Sequence, residues 1–292
     1  MPETTTRRIS PRRVPGGFAL ALFLLATCAG FMGLKIATDN VLRKKVPGSS
    51  IIYVPSGKFL KYATFGYSAL AADLVYLWAI QYYSTYEIPD RFDRLDHIFS
   101  IIAELDPRYT DPYEVGSMIA GQEARDVPLA LKILDRGATK NPDMWLFPFE
   151  AGHIARMQMK DYKLAQDYFR KAMAVPGAPD LIRRLYASST FKAEDFRTAW
   201  ETWLEIYTTT TDPQVKKTAS NHLYQVKSAM DLGGLKGGIG KFREKYGRLP
   251  SALDQLVQMG ILPSLPKDLD EKDYVYDPAT GEVKAPTVWW KR

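Results

Sequence analysis

The sequence has one cysteine, Cys28, and three histidines, His97, His153 and His222, among 292 residues. A lone cysteine excludes an intrachain disulfide and a zinc site built on cysteine pairs. The histidines form no i, i+4 pair and no HExxH string, so the usual zinc-ligand spacings are missing too. No Ser-His-Asp or Cys-His set can be named either. No catalytic residue, metal, cofactor or small-molecule substrate is therefore expected, and the chain does not read as an enzyme. A basic excess is missing outside the first 45 residues. The chain holds 39 Lys and Arg against 33 Asp and Glu, a net charge of +6. Eight of those basic residues and only two acids fall in residues 1–45, which leaves the remainder neutral. Basicity that merely flanks a hydrophobic run gives no electrostatic case for nucleic-acid binding.

Only one apolar run is long. Phe18 to Leu34 reads FALALFLLATCAGFMGL, without a charge, and extends to Ala37 if Lys35 snorkels to an interface. About 20 helical residues cross the ~30 Å hydrocarbon layer. A cleaved signal would have a shorter core ending at a small-x-small site, and this run continues past every such site. A lipoprotein signal ending at Cys28 fits loosely. The expectation is an uncleaved anchor over 18–37, with cleavage and lipidation as alternatives. Four basic residues precede the run and four follow it, so the positive-inside count is balanced. The short basic tail over 1–17 favours a single-pass protein of a bacterial inner membrane with a periplasmic body. Residues 38–64, rich in Pro, Gly and Ser, read as a linker. Phe65 to Tyr86 reads as one apolar helix, which Asp73 and Gln81 make a buried element and not a second span.

The body carries a repeat. In DYKLAQDYFRKAM, residues 161–173, Ala165, Phe169 and Ala172 share a helical face at spacings of four and three. Ala130, Leu134 and Gly137 stand 35 residues earlier, and Leu95, Phe99 and Ile102 another 35 before that. Ala199, Trp203 and Ile206 stand 34 residues later. Small residues flanking a large one let a neighbouring helix approach closely, and a period near 34 marks a helix-turn-helix solenoid. Pro107 and Pro142 fall five residues past the first two triplets, Gly177 between two prolines past the third, and Thr211 past the fourth.

At these positions the chain resembles the tetratricopeptide repeat family, over about residues 76–213. The string LAADLVYLWAIQYYS, residues 70–84, resembles the first helix of membrane-anchored bacterial members. The resemblance implies a mainly α fold, a solenoid over 65–231, and a scaffold that binds proteins on the face lined by each unit's first helix. The family's carboxylate clamp uses Lys, Asn and Arg. The matching places here hold Val115, Ile119, Glu150, Ile154, Arg184 and Ser188, so that clamp is absent. Tyr113, Phe147, Glu150, Arg184 and Lys192 are the candidate partner contacts.

LGGLKGGIGK, residues 232–241, has five glycines in ten positions. It lacks the first glycine and the final Ser or Thr of a phosphate loop, and reads as a hinge. Residues 242–292 then change character, with a short helix and a hairpin around Asp-Pro-Ala-Thr-Gly. Tyr246-Gly247, Pro250, Gly260, Leu265-Pro266 and Tyr274-x-Tyr276 resemble the C-terminal part of type II secretion pseudopilins. The calcium-loop acids Asp268, Asp270 and Asp273 are present without the Asp-Pro-x-Gly pattern, and the long pilin helix is missing. The resemblance implies a small α+β module. Two functions follow: a membrane-anchored scaffold for partner proteins in the bacterial envelope, or a structural or assembly part of a type II secretion or type IV pilus machine.

Overall fold

The computed structural model describes residues 16–39, 55–88 and 90–287. The basic tail before residue 16, the extended piece expected at Ile51 to Val54 and an expected docking role for Trp289 and Trp290 lie outside these residues. The chain divides into two compact units, Met1–Ile52 and Tyr53–Arg292.

The first unit contains helix α1, Gly16–Asp39. Its span Leu20–Thr38 has a mean hydropathy of 2.0 and none of it is buried. Among the described residues this is the one helix long and apolar enough to cross a membrane.

In the second unit, α2 (Gly57–Ala63) lies inside the stretch expected to be linker. The single helix expected over 65–86 is shorter. Phe65 and Gly66 take positive φ, 48° and 96°, which ends the preceding turn, and α3 runs over Ser68–Tyr83. At its C-terminal end the Ser84 hydroxyl donates back to the Ile80 carbonyl. Helix α4 (Leu95–Leu105) receives α2 and α3 on its apolar face.

The helices that follow repeat a local pattern. They are α5 (Asp111–Met118), α6 (Val127–Lys140), α7 (Leu146–Ile154), α8 (Tyr162–Met173), α9 (Asp180–Lys192) and α10 (Phe196–Thr209). Each packs on the next. Asp126, Asp161 and Asp195 cap α6, α8 and α10, accepting from the backbone N–H of Leu129, Leu164 and Thr198 at 2.9–3.2 Å. Such a cap satisfies an N–H that the helix start leaves free. Each cap follows a residue in the left-handed region: Arg125, Lys160 and Glu194, at φ 57°, 56° and 64°. The turn thus recurs after 35 and then 34 residues, the spacing of the apolar triplets. Leu95, Phe99, Ala130, Leu134, Gly137, Ala165, Phe169, Ala172, Ala199 and Trp203 are all buried.

Successive helix pairs of the second unit are also tied to one another by polar contacts. The Arg108 guanidinium grips both oxygens of Asp143 at 2.7 and 2.8 Å, 35 positions away. Asp96 accepts from Lys132 and Arg136 of α6, both at 2.7 Å. The Asn141 amide donates to the Pro107 carbonyl at 3.0 Å, and the Tyr168 hydroxyl to Asp135 at 3.0 Å.

The largest departure from expectation is α11, which runs unbroken over Pro213–Tyr246. The expected hinge at 232–241 is helix. Leu235, Ile239 and Phe242 recur at four and three residues and are buried with Leu253, Leu256, Tyr274 and Val283. Glycine costs a helix about 1 kcal/mol per residue, and burial of this face offsets it. Gly238 also lets Leu262 approach, since a β-carbon there would lie 3.2 Å from its side chain. The first half of α11 packs Ala219, Leu223 and Val226 with Trp203 and Ile206 of α10. The C-terminal segment therefore rests on the same helix that closes the repeats. The Tyr274 hydroxyl donates to Asp231 at 2.7 Å. In that segment, α12 (Asp254–Gln258) precedes strands β1 (Val275–Tyr276) and β2 (Val283–Lys284), antiparallel with Tyr276 opposite Val283. Asp277 shapes the hairpin turn by accepting from the Ala279 N–H and the Thr280 hydroxyl.

Candidate functional site

The candidate site starts from a mismatch in spacing. Gly116 of α5 faces Phe99, where a β-carbon would meet the ring at 2.7 Å, and Gly152 of α7 faces Phe169 at 2.8 Å. From Gly116 to the buried Ala130 is 14 residues, and from Gly152 to Ala165 is 13. From Ala187 to Ala199, both buried, is 12. The two longer units contain a π turn, Ile119–Glu123 after α5 and Ala155–Met159 after α7. The shorter unit has none between α9 and its cap. A π turn absorbs added residues without breaking the helix, and such turns are frequent at functional sites.

The two π turns border one cleft of about 370 Å³. From α5 and its turn come Glu114, Val115, Ser117, Met118 and Gln122. From α7 and its turn come Glu150, His153, Ile154, Met157 and Gln158. Glu114 and Glu150, and likewise Gln122 and Gln158, stand 36 residues apart, one more than the 35 between the caps Asp126 and Asp161 that follow them. The lining includes no lysine or arginine. Burial, then the nearby carboxylates of Asp111 and Glu150, pushes the Glu114 carboxyl above the ordinary glutamate value. The cleft thus offers carboxylates, amide groups, two thioethers and the His153 ring. That set suits a cationic side chain whose apolar stem lies along the methionines.

The five partner contacts expected from sequence fall in different places. Tyr113 and Phe147 are buried and cannot touch a partner. Their rings meet edge to face at 5.4 Å, both against Gly137, where a β-carbon would come within 3.1 Å of either ring. The Tyr113 hydroxyl is spent on the Pro107 carbonyl at 3.1 Å. Glu150 lines the cleft. Arg184 lines a separate hollow of about 400 Å³ beside Asp180, Arg183 and the Thr209 to Asp212 turn. Its Nε has no hydrogen-bond partner among the described residues. Lys192 is exposed in the last turn of α9.

Sequence reasoning missed Glu114 and the methionines. The signal available was the 14, 13, 12 series of spacings between small residues, which marks the units that carry an insertion. Asp268, considered for calcium, accepts the N–H groups of Asp270 and Lys272 and the Thr287 hydroxyl. Those bonds hold its carboxyl below the usual range against the opposing effect of burial.

The chain matches no known protein family, no curated protein and no solved structure.

Proposed function

We propose that this chain is a membrane-anchored scaffold of the tetratricopeptide type, which holds partner proteins in the bacterial envelope without turning over a substrate. The cleft between α5 and α7 is its docking site, and a basic residue of an extended partner segment is what enters it. The observation that carries this reading is that Glu114 of α5 and Glu150 of α7 line one hollow whose lining includes no lysine or arginine. An acid kept partly buried beside another acid is costly to the fold, and such groups concentrate at binding sites. The recurring caps and small-residue contacts support the repeat assignment. α1 supports the membrane attachment, and the body is assigned to the periplasmic side of an inner membrane.

Partner recovery from detergent extracts tests the reading. Wild type should retain partners that Glu114→Gln/Glu150→Gln loses at moderate salt, with both proteins equally folded. Equal recovery from both would overturn the cleft as the docking site. Recovery of secretion or pilus subunits alone would favour the assembly-component reading.

A further inference from the structure

A second surface stands apart from the cleft. In α3, Leu70, Leu74 and Leu77 recur at spacings of four and three and are 55–61% exposed. In α2 and the turn after it, Phe59, Tyr62 and Phe65 are 77–90% exposed. These helices are nonetheless held firmly. The opposite side of α3 buries Ala72, Ala79 and Tyr83, with the Tyr83 ring 5.9 Å from Phe99 of α4. In α2, a β-carbon on Gly57 would lie 2.7 Å from Glu104, whose carboxylate accepts the Lys58 N–H at 2.8 Å. The apolar side is therefore displayed by packed elements. Packed helices of soluble proteins rarely leave such rows of large apolar side chains without an occupant.

We infer that this face lies on the phospholipid surface of the membrane that α1 enters. The inference rests on the reading of α1 as a membrane anchor. Three observations select lipid over a protein partner. First, the face follows α1 closely in sequence, with eighteen positions from Asp39 to Gly57. Second, α3 is apolar on this side without being able to cross. Its 16 residues rise only about 24 Å, and Asp73 is exposed at its flank. Its exposed leucines can therefore rest against a lipid layer but not span it. Third, the α2 side mixes aromatic rings with the exposed Lys58 and Lys61. Amphipathic rings and lysines are what the headgroup region of an anionic bilayer accepts.

The test uses the full chain reconstituted into vesicles of phosphatidylethanolamine and phosphatidylglycerol. In a Cys28→Ser background, Leu70→Cys, Leu74→Cys and Leu77→Cys are labelled singly with an environment-sensitive fluorophore, and Lys140→Cys and Lys163→Cys serve as controls. Labels on α3 should be blue-shifted, quenched by nitroxide lipids and several-fold less quenched by aqueous iodide than the controls. The triple variant Leu70→Ser/Leu74→Ser/Leu77→Ser, outside the packed core, should melt as wild type does yet increase iodide access at Phe59→Cys. Iodide access equal to the controls, in protein that resists alkaline carbonate extraction, overturns the surface inference alone. Shielding without nitroxide quenching, or shielding lost when protein is diluted in lipid, identifies a second copy as the occupant and also overturns it. Extraction by carbonate defeats the anchor reading, and this inference with it.

Discussion

Gly152 and Phe169 are fitted to each other: a β-carbon on Gly152 would stand 2.8 Å from the Phe169 ring. Gly116 is fitted in the same way to Phe99, but on the preceding helix α4, at 2.7 Å. The Gly152–Phe169 pair fixes how closely α7 and α8 approach. Phe169→Ala should destabilise the body by about 3–5 kcal/mol, the range for emptying a buried aromatic site. Gly152→Ala should cost about 1–3 kcal/mol through overpacking. Tyr162→Ala, at the half-buried start of α8, should cost clearly less than Phe169→Ala. Denaturant midpoints measure all three, and equal midpoints for the two aromatic variants would contradict the register.

Gly237 and Gly238 separate helix from hinge. A β-carbon on Gly237 would meet open space, while one on Gly238 would press on Leu262 at 3.2 Å. Since α11 is continuous, Gly237→Ala should stabilise by about 0.4–1 kcal/mol, and Gly238→Ala should gain less or lose. A hinge would show no gain at Gly237.

The apolar triplets were legible in the sequence because close packing demands a small-large-small pattern that no exposed face needs. Phe169 and Trp203 are found where that pattern puts them, fully buried. The Asp-Pro-Ala-Thr-Gly turn was legible for a similar local reason: Asp277 and Gly281 carry their conformation within the turn. What failed depended on distant partners. The glycines of 232–241 suggested a break, but Leu235, Ile239 and Phe242 find a core supplied by residues 253–283. Tyr113 and Phe147 sat on helices expected to face a partner, yet Gly137 opens a space that takes both rings inward. The short α2 escaped notice because its stability comes from Gly57 docking on Glu104, 47 positions away.

Asp96 sets an acid-side dependence. Burial opposes its charge, but hydrogen bonds from Lys132 and Arg136 outweigh that and hold its carboxyl below the ordinary aspartate value. A carboxyl depressed in the folded state stabilises above its unfolded value, and the contribution is lost as pH falls. Asp96→Asn should therefore lower the melting midpoint at neutral pH. The gap from wild type should close progressively below about pH 3.9, the ordinary aspartate value. A gap unchanged by acid would contradict the ionic role.

Glu114 has the opposite sign. Its carboxyl is raised in the folded state, so its stability contribution is present at low pH and lost as pH rises through the raised value. Glu114→Gln should raise the unfolding midpoint at neutral pH, and the gain should shrink near pH 4, around the ordinary glutamate value. A loss of stability at neutral pH would mean that the acid is held by a partner group and is not free for a ligand.

The central claim, that the cleft between the π turns docks a basic segment of a partner, is tested most directly by photo-crosslinking in cells that make the full chain. A photoreactive residue replaces Met157 at the cleft, or Lys163 on the exposed side of α8 as control. The account predicts a discrete adduct from position 157, none from position 163, and loss of that adduct when Glu114→Gln and Glu150→Gln are added. An adduct from position 157 that survives removal of both carboxylates, or none above the control, would contradict it.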